Sequence, residues 1–463
     1  MIITRFAPSP TGDPHIGNIR TALFVYLFAK HNKGKFLLRI EDTDRKRYKE
    51  KTIETIIDAL EWLGIMPDNT DNPMIQSQRL EIYKQKALEL VEQNKAYVCT
   101  CTAEKLKASR EGMIKRGQAP MYDKSCRNKG YKYVAGKSVI RMKIPENEKI
   151  AFADSIRGKV EFNSDTIDDQ VILKSDGYPT YHLAHVIDDH EMEVTDVIRS
   201  EEWLPSTPKH IILNKMLGYQ IPRYAHLPVI LSPSRGKLSK RDGAVGILEY
   251  RKMGYLPEAL INFMVFLGWN PKDKREFFTL NQLIEEFNLK NVNKAGAIFD
   301  IEKLNYYNKH YLKNKSIDEL KKLIDENILN KFIQFNLDKV ICLARDRMEK
   351  ISDFEKTVSF LININVNKDM LIFRKSNKQS TLKGLSASSK SLEDIKTFSA
   401  DNIKSVLEKV VSEQKLSNGD VFWPVRVALS GLEKSPPPEQ IAEVLGKKES
   451  VARIKKAINI LES

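Results

Sequence analysis

Pro8, Pro10 and Pro14 fall within a stretch of seven residues, between an apolar run and a segment of helical spacing. No regular element tolerates that density, because proline lacks the amide donor that a helix interior or a central strand requires. Pro8-Ser9-Pro10-Thr11-Gly12-Asp13-Pro14 is therefore a rigid loop. Ahead of it, Ile2 to Phe6 reads as a short buried strand. Behind it, Ile16, Ile19, Leu23, Tyr26 and Leu27 recur at helical spacing through Lys30. Gly34 ends that helix, Phe36 to Ile40 is a second strand, and Thr52 to Leu63 is an amphipathic helix. Strand, helix, strand, helix with short joints predicts a parallel sheet covered by helices.

Further along, Leu80 to Asn94 is another helix, and Tyr97 to Ile150 breaks the rhythm as an inserted segment rich in lysine and glycine. Val171 to Leu173 and Leu183 to Ile187 read as strands around a turn at Ser175 to Pro179, and Pro208 to Leu217 as a helix. Beyond Gly254 strand signals fade. Pro257 to Leu267 is apolar and helical, and the chain from Ser316 onward is lysine-rich and helical. Pro436-Pro437-Pro438 is a joint before a last helix, Val451 to Leu461.

At 463 residues the chain exceeds one ordinary domain of roughly 150 residues. Its net charge of +14 favours a polyanionic partner, since Lys and Arg release counterions from a phosphate backbone. Four cysteines, Cys99, Cys101, Cys126 and Cys342, are too few for a disulfide scaffold of this length. No signal-peptide pattern opens the chain, and the apolar stretch Ala22 to Ala29 is far short of a membrane span. A cytoplasmic protein with no membrane partner is expected.

Ligands of open parallel sheets bind beyond the carboxyl ends of the strands. The loop after Phe6 delivers Ser9, Thr11 and His15 to that edge, and His15 and Gly17 stand where a helix begins. Its free N–H groups and partial positive charge suit a phosphate. Alone, His-x-Gly is more simply a capped helix with a surface histidine. Lys237-Leu238-Ser239-Lys240-Arg241-Asp242-Gly243 carries three cations in five residues and suits a loop closing on a triphosphate. Alone, it too is more simply a solvated basic turn.

Together the segments are far more specific. Arg5-Phe6-Ala7-Pro8-Ser9-Pro10-Thr11-Gly12 leads to His15-Ile16-Gly17-Asn18 and Arg20-Thr21-Ala22-Leu23-Phe24. Leu38-Arg39-Ile40-Glu41-Asp42-Thr43-Asp44, Tyr178-Pro179-Thr180-Tyr181, Val197-Ile198-Arg199 and Lys237 to Arg241 follow. This set resembles the class I aminoacyl-tRNA synthetases and, within them, the bacterial glutamyl-tRNA synthetases, strongly from Met1 to about Leu312. The resemblance implies an α/β fold: a Rossmann-type parallel-sheet catalytic domain with an inserted α+β subdomain, then an all-α C-terminal region. It implies a catalytic first half at 1–96, an acceptor-stem-binding insert at 97–174 and a second half at 175–253 with the Lys-rich loop. A helical stem-contact region at 254–315 and an anticodon-binding region at 316–463 would follow.

It further implies a glutamate–tRNA ligase that activates L-glutamate with ATP and Mg²⁺, then charges tRNA(Glu), with tRNA(Gln) as an additional acceptor left open. His15 and Lys240 would be catalytic, Lys240 stabilising the departing pyrophosphate. His15, Gly17, Lys237, Ser239, Lys240, Glu202 and Trp203 would bind ATP. Arg5 and Arg199 would meet the glutamate carboxylates, Glu41 the ammonium, and Ser9 and Tyr181 would complete the pocket. Asn18 stands where the family more often has Gly or His, and His185 where many members have another small or polar residue. A monomer is expected.

Cys99-x-Cys101 followed by Cys126 is a three-thiolate start for a structural zinc, and Tyr122 offers a phenolate. Reduced, unliganded thiols are the equal alternative. In the helical region Arg374, Lys375 and Arg426 are RNA-contact candidates by charge alone. A non-catalytic RNA-binding protein is the competing reading. Such a module has no need of Arg5, His15, Glu41 and Lys240 together.

Overall fold

Strand β1 (Ile3–Phe6) is buried along its whole length, and helix α1 (Ile16–His31) carries the chain over to strand β2 (Lys35–Ile40). The two strands pair in parallel, with Ile3 opposite Lys35 and Phe6 opposite Leu38. In a computed structural model of the chain, all residues are described except 46, 48, 50, 237 and 239–244. Two compact units emerge, one of Met1–Lys252 with Pro257–Leu304 and one of Met253–Leu256 with Asn305–Ser463.

In the first unit α2 (Thr52–Trp62) leads to β3 (Met74–Ile75), parallel to β2, and then α3 (Leu80–Glu92). The inserted segment follows, with β4 (Ala96–Cys99), α4 (Ala103–Lys115), β5 (Val139–Met142), β6 (Lys149–Asp154), β7 (Gly158–Asn163) and β8 (Val171–Leu173). β4, β5 and β8 form an antiparallel sheet. The α/β rhythm resumes with α5 (Tyr181–Glu191), β9 (Asp196–Ser200), α6 (Thr207–Leu217) and β10 (Arg223–Leu227), in which β9 and β10 run parallel. Thr195, just before β9, donates its amide to the Ile3 carbonyl at 2.9 Å, which brings β9 alongside β1. The ends of β1, β2 and β9 thus share one edge.

The strand expected at Leu183–Ile187 is instead the middle of α5. Leu183, Ala184, His185, Val186, Ile187, Asp188 and Asp189 are all buried. Its polar residues His185, Asp188 and Asp189 are buried along with its apolar ones, so the apolar-in, polar-out pattern that marks a surface helix is missing.

The second unit is helical. Its longer helices are Lys378–Glu393, Ala400–Gln414, Asn418–Ser430 and Lys447–Glu462. The last is longer than the expected Val451–Leu461. Pro438 opens the helix Pro438–Leu445 at a first-turn position, where the missing N–H costs nothing. Buried Arg453 ties the packing together by donating to the Phe360, Leu361 and Leu429 carbonyls at 2.7–2.8 Å.

Candidate functional site

The proline-rich loop is pinned at two points. The Glu41 amide donates to the Pro8 carbonyl and the Lys49 amide to the Pro10 carbonyl, each at 3.0 Å. Ser9 is thereby held against the end of β2. The His15 ring caps α1, its Nδ1 accepting from the Gly17 amide at 3.1 Å. A Cβ on residue 17 would lie 2.9 Å from His15 Cε1, so glycine is what lets the ring fold over the helix end. The proton of the neutral ring is then on Nε2.

Lys237, Ser239 and Lys240 lie outside the described residues. The segment after them is tied back to the loop, because His15 bridges Gly246 and the Ile247 amide donates to the Pro14 carbonyl at 2.9 Å.

One cleft of about 590 Å³ collects Arg5, Ser9, His15, Gly17, Glu41, Tyr181, Arg199, Glu202 and Trp203. That volume is ample for a small ligand and part of a nucleotide. Every described residue expected to bind ATP or glutamate lines it. Asn18 and Arg20 line it too.

The charged floor is tightly wired. Arg5 spends Nε on Asp189 Oδ1 at 2.9 Å, and its Nη groups have no hydrogen bond among the described residues. Arg39, wholly buried, places Nη1 on the same Asp189 oxygen at 2.5 Å and Nη2 on Glu41 Oε1 at 2.9 Å. Burial works against the charge of Asp189, but the Arg5 and Arg39 guanidinia outweigh it and hold the carboxyl below its ordinary value. For Glu41 burial prevails and raises its value, opposed chiefly by Arg39. His185 fills the remaining corner, with Nδ1 3.4 Å from Arg39 Nη2 and Nε2 3.4 Å from Asp189 Oδ2. Burial and the adjacent arginines keep that ring neutral.

Arg199 is held on every donor. Nε reaches His226 Nε2 at 3.1 Å; Nη1 reaches the Tyr181 hydroxyl and His210 Nδ1, each at 3.1 Å. Nη2 donates to Thr207 Oγ1 at 2.9 Å. His210 then passes its Nε2 proton toward His182 Nδ1 at 3.0 Å. Tyr181 accepts from Arg199, so its own proton is available to a ligand. Burial raises the Tyr181 value, against Arg199, and keeps that proton in place. The Tyr181 ring also packs against Trp203, tilted by 36° with 4.2 Å between centroids.

The sequence does not single out Arg39, Asp189, His210 and His226 as parts of the site. Arg39 alone left a signal: an arginine two residues before Glu41 in an apolar strand shares its face.

Away from the cleft, Cys99, Cys101 and Cys126 bring their sulfurs within 4.8 Å of one another. The Tyr122 hydroxyl lies 3.3 Å from Cys99 Sγ and 3.6 Å from Cys101 Sγ. Burial opposes the Cys126 thiolate, yet hydrogen bonds led by Tyr122 draw its thiol down to about 7. Three thiols and a phenol at these separations fit a tetrahedral zinc. In the helical unit Arg374 and Lys375 are exposed, and the Arg426 guanidinium lies 5.9 Å from the Trp423 ring centroid.

Comparison with known proteins agrees with this geometry. The family model described as "tRNA synthetases class I (E and Q), catalytic domain" matches residues 1–306, and that described as "Anticodon binding domain" matches 315–458. The glutamate–tRNA ligase of Dehalococcoides mccartyi is 45% identical, over 98% of this chain and 96% of its own length. Glutamate–tRNA ligase 2 of Thermoanaerobacter pseudethanolicus is 40% identical, over 99% and 98%. The crystal structure of a glutamate tRNA ligase from Elizabethkingia meningosepticum, in complex with its amino acid, superposes with a TM-score of 0.87 at 35% identity, over 99% of both chains. The chain belongs to the glutamate–tRNA ligases, among the class I aminoacyl-tRNA synthetases.

Proposed function

We propose that the cleft activates L-glutamate with ATP, releasing pyrophosphate, and transfers the glutamyl group to the 3′ terminal adenosine of tRNA(Glu). The observation that carries this is the convergence of Arg5, Arg199 and Glu41 on a cleft walled by the His15-capped helix. Two guanidinia suit two carboxylates, and one carboxylate suits one ammonium.

In this reading Glu41 takes the α-ammonium. Arg5 faces one carboxylate with its Nη pair, Arg199 faces the other through its charge and the Tyr181 hydroxyl it holds, and Ser9 fills remaining lone pairs. Ligands lacking the side-chain charge are rejected because a buried guanidinium is left unpaired, at a cost of roughly 2–5 kcal/mol. ATP lies over the start of α1 against His15 and Gly17, with Glu202 and Trp203 beside the nucleotide. Lys237, Ser239 and Lys240 are the residues assigned to the phosphates, and Lys240 meets the charge on the departing pyrophosphate. Mg²⁺ enters with ATP. Attack by the adenosine hydroxyl on the mixed anhydride then depends mainly on positioning, since adenylate leaves readily.

Residues 97–174 are read as the acceptor-stem contact, 254–315 as a further stem contact, and 316–463 as the anticodon grip. Arg374, Lys375 and Arg426 are its charged candidates. Cys99, Cys101, Cys126 and Tyr122 would hold a zinc that organises the insert and takes no part in the chemistry. A cytoplasmic monomer is proposed; among the described residues no helix is long and apolar enough to cross a membrane. Charging of tRNA(Gln) is the alternative extension, and aminoacylation of the two purified tRNAs separates the cases.

The test is glutamate-dependent ATP–pyrophosphate exchange, with and without tRNA. Exchange is expected with glutamate and not with glutamine or aspartate. Its absence under both conditions would overturn the enzymatic reading.

A further inference from the structure

Between the two substrate-facing charges of the floor lies one guanidinium that touches neither the cleft nor solvent. Arg39 is 0% exposed and is not among the lining residues. We infer that Arg39 is a positioning residue for the amino acid: its fork orients Glu41 directly and Arg5 through Asp189. This rests on the reading of Glu41 and Arg5 given above.

The geometry is specific. Nη2 and Nε of Arg39 both reach Glu41 Oε1, at 2.9 and 3.3 Å. Oε2 carries no hydrogen bond among the described residues and is left for an ammonium. On the other side Asp189 Oδ1 is shared, by Arg39 Nη1 at 2.5 Å and Arg5 Nε at 2.9 Å. That sharing turns Arg5 so that its Nη pair is left for a carboxylate. Asp188 backs the fork, with Oδ2 4.0 Å from Arg39 Nε, and is itself held by Gln76, Arg79 and Tyr83. A planar guanidinium binds in two directions at a fixed angle; an ammonium on a flexible stem keeps the charge but not the angle. The groups acting on Glu41 are Arg39 on β2, Arg5 on β1, and Tyr181 and Asp189 on α5; behind them His185 and Asp188 meet Arg39, and Arg199 of β9 meets Tyr181. Arg39 is the cation in contact with it, and it opposes the burial that favours a neutral Glu41.

The test is exchange kinetics of Arg39→Lys in the full chain with tRNA present, after thermal unfolding confirms the fold. The glutamate KM should rise by about tenfold or more while the ATP KM stays within about twofold. The acid limb of kcat/KM for glutamate should also move to higher pH, because Glu41 takes a proton more readily without the fork. Equal changes in both KM values, or an unmoved acid limb, would overturn the inference. If Arg39→Lys does not fold, the charge-balanced pair Arg39→Gln with Asp189→Asn is measured for the same split. Glu41→Gln separates the two levels. If it leaves the glutamate KM unchanged, the site assignment fails; if it raises the KM and the Arg39 variants do not, only the positioning role fails.

Discussion

Arg199 donates from Nε to Nε2 of His226 across 3.1 Å, and the other nitrogen of that ring lies 2.6 Å from Asp154 Oδ2. Asp154 Oδ1 is already engaged by the amides of Ile156 and Arg157 at 2.9 and 2.8 Å. Both oxygens must therefore accept, which puts the ring proton on Nδ1 and leaves Nε2 to receive Arg199. Asp154→Asn cannot satisfy both sides. Its amide oxygen stays with the backbone donors, its NH₂ faces Nδ1, and the ring proton moves to Nε2 against the guanidinium. Glutamate KM should rise by about tenfold, with ATP KM little changed. Steady-state exchange measures both, and an unchanged glutamate KM would break the proposed link from Asp154 to Arg199.

This pairing also marks where sequence reasoning stops. Arg5, Ser9, His15, Gly17, Glu41, Tyr181 and Arg199 can be placed at one cleft from sequence because each ends or follows a strand, or opens a helix, within a contiguous motif. The residues that aim them cannot. Asp189 reaches Arg5 across 184 positions, and Asp154 reaches His226 across 72. Neither stands in a motif, and a buried aspartate in an apolar run carries no periodic mark. The same blindness turned the middle of α5 into an expected strand. Arg39 stands inside a motif, but its neighbour Glu41 accounts for that segment on its own.

Arg20 should be a stability residue at the rim of the cleft. Its Nη1 donates to the Leu267 carbonyl at 2.8 Å and its Nη2 to the Pro228 carbonyl at 2.5 Å. Burial lowers its value to about 10, opposed by Glu201, so it remains cationic at neutral pH. Arg20→Met removes both donors and strands two carbonyls, at a cost of about 2–4 kcal/mol. Calorimetry should show a lower transition for the catalytic unit. Pro228 precedes Val229 to Leu231, which line the cleft, so the ATP KM should rise with the loss.

Elemental analysis of chain purified without chelator should find one zinc, lost in Cys99→Ser, Cys101→Ser or Cys126→Ser. Tyr122→Phe should keep the fold and weaken metal retention against a chromogenic chelator. β4 and β5 pair from Cys99–Val139 to Ala96–Met142, so zinc removal should speed amide exchange there more than in α5 or α6. Chain free of zinc with unchanged exchange would favour simple reduced thiols.

The histidines behind the cleft predict an acid sensitivity of definite sign. Burial, helped by Lys209 and Arg199, pushes His182 down to about 4 from its ordinary 6.5. Burial likewise lowers His185 and His210 well below 6.5, and lowers His226 against the pull of Asp154. In each case the unfolded chain binds the proton more readily than the folded one. Stability is therefore complete above pH 6.5 and lost as the pH falls through the window down to about 4, where the His182 contribution is exhausted. Each histidine steepens the loss by up to about 1.4 kcal/mol per pH unit. Amide exchange in α5 and α6, corrected for its intrinsic pH dependence, should report this slope. His182→Asn, whose side-chain oxygen can still accept from His210, should lower the slope by one proton. A slope unchanged by that substitution would show that His182 is not held neutral in the fold.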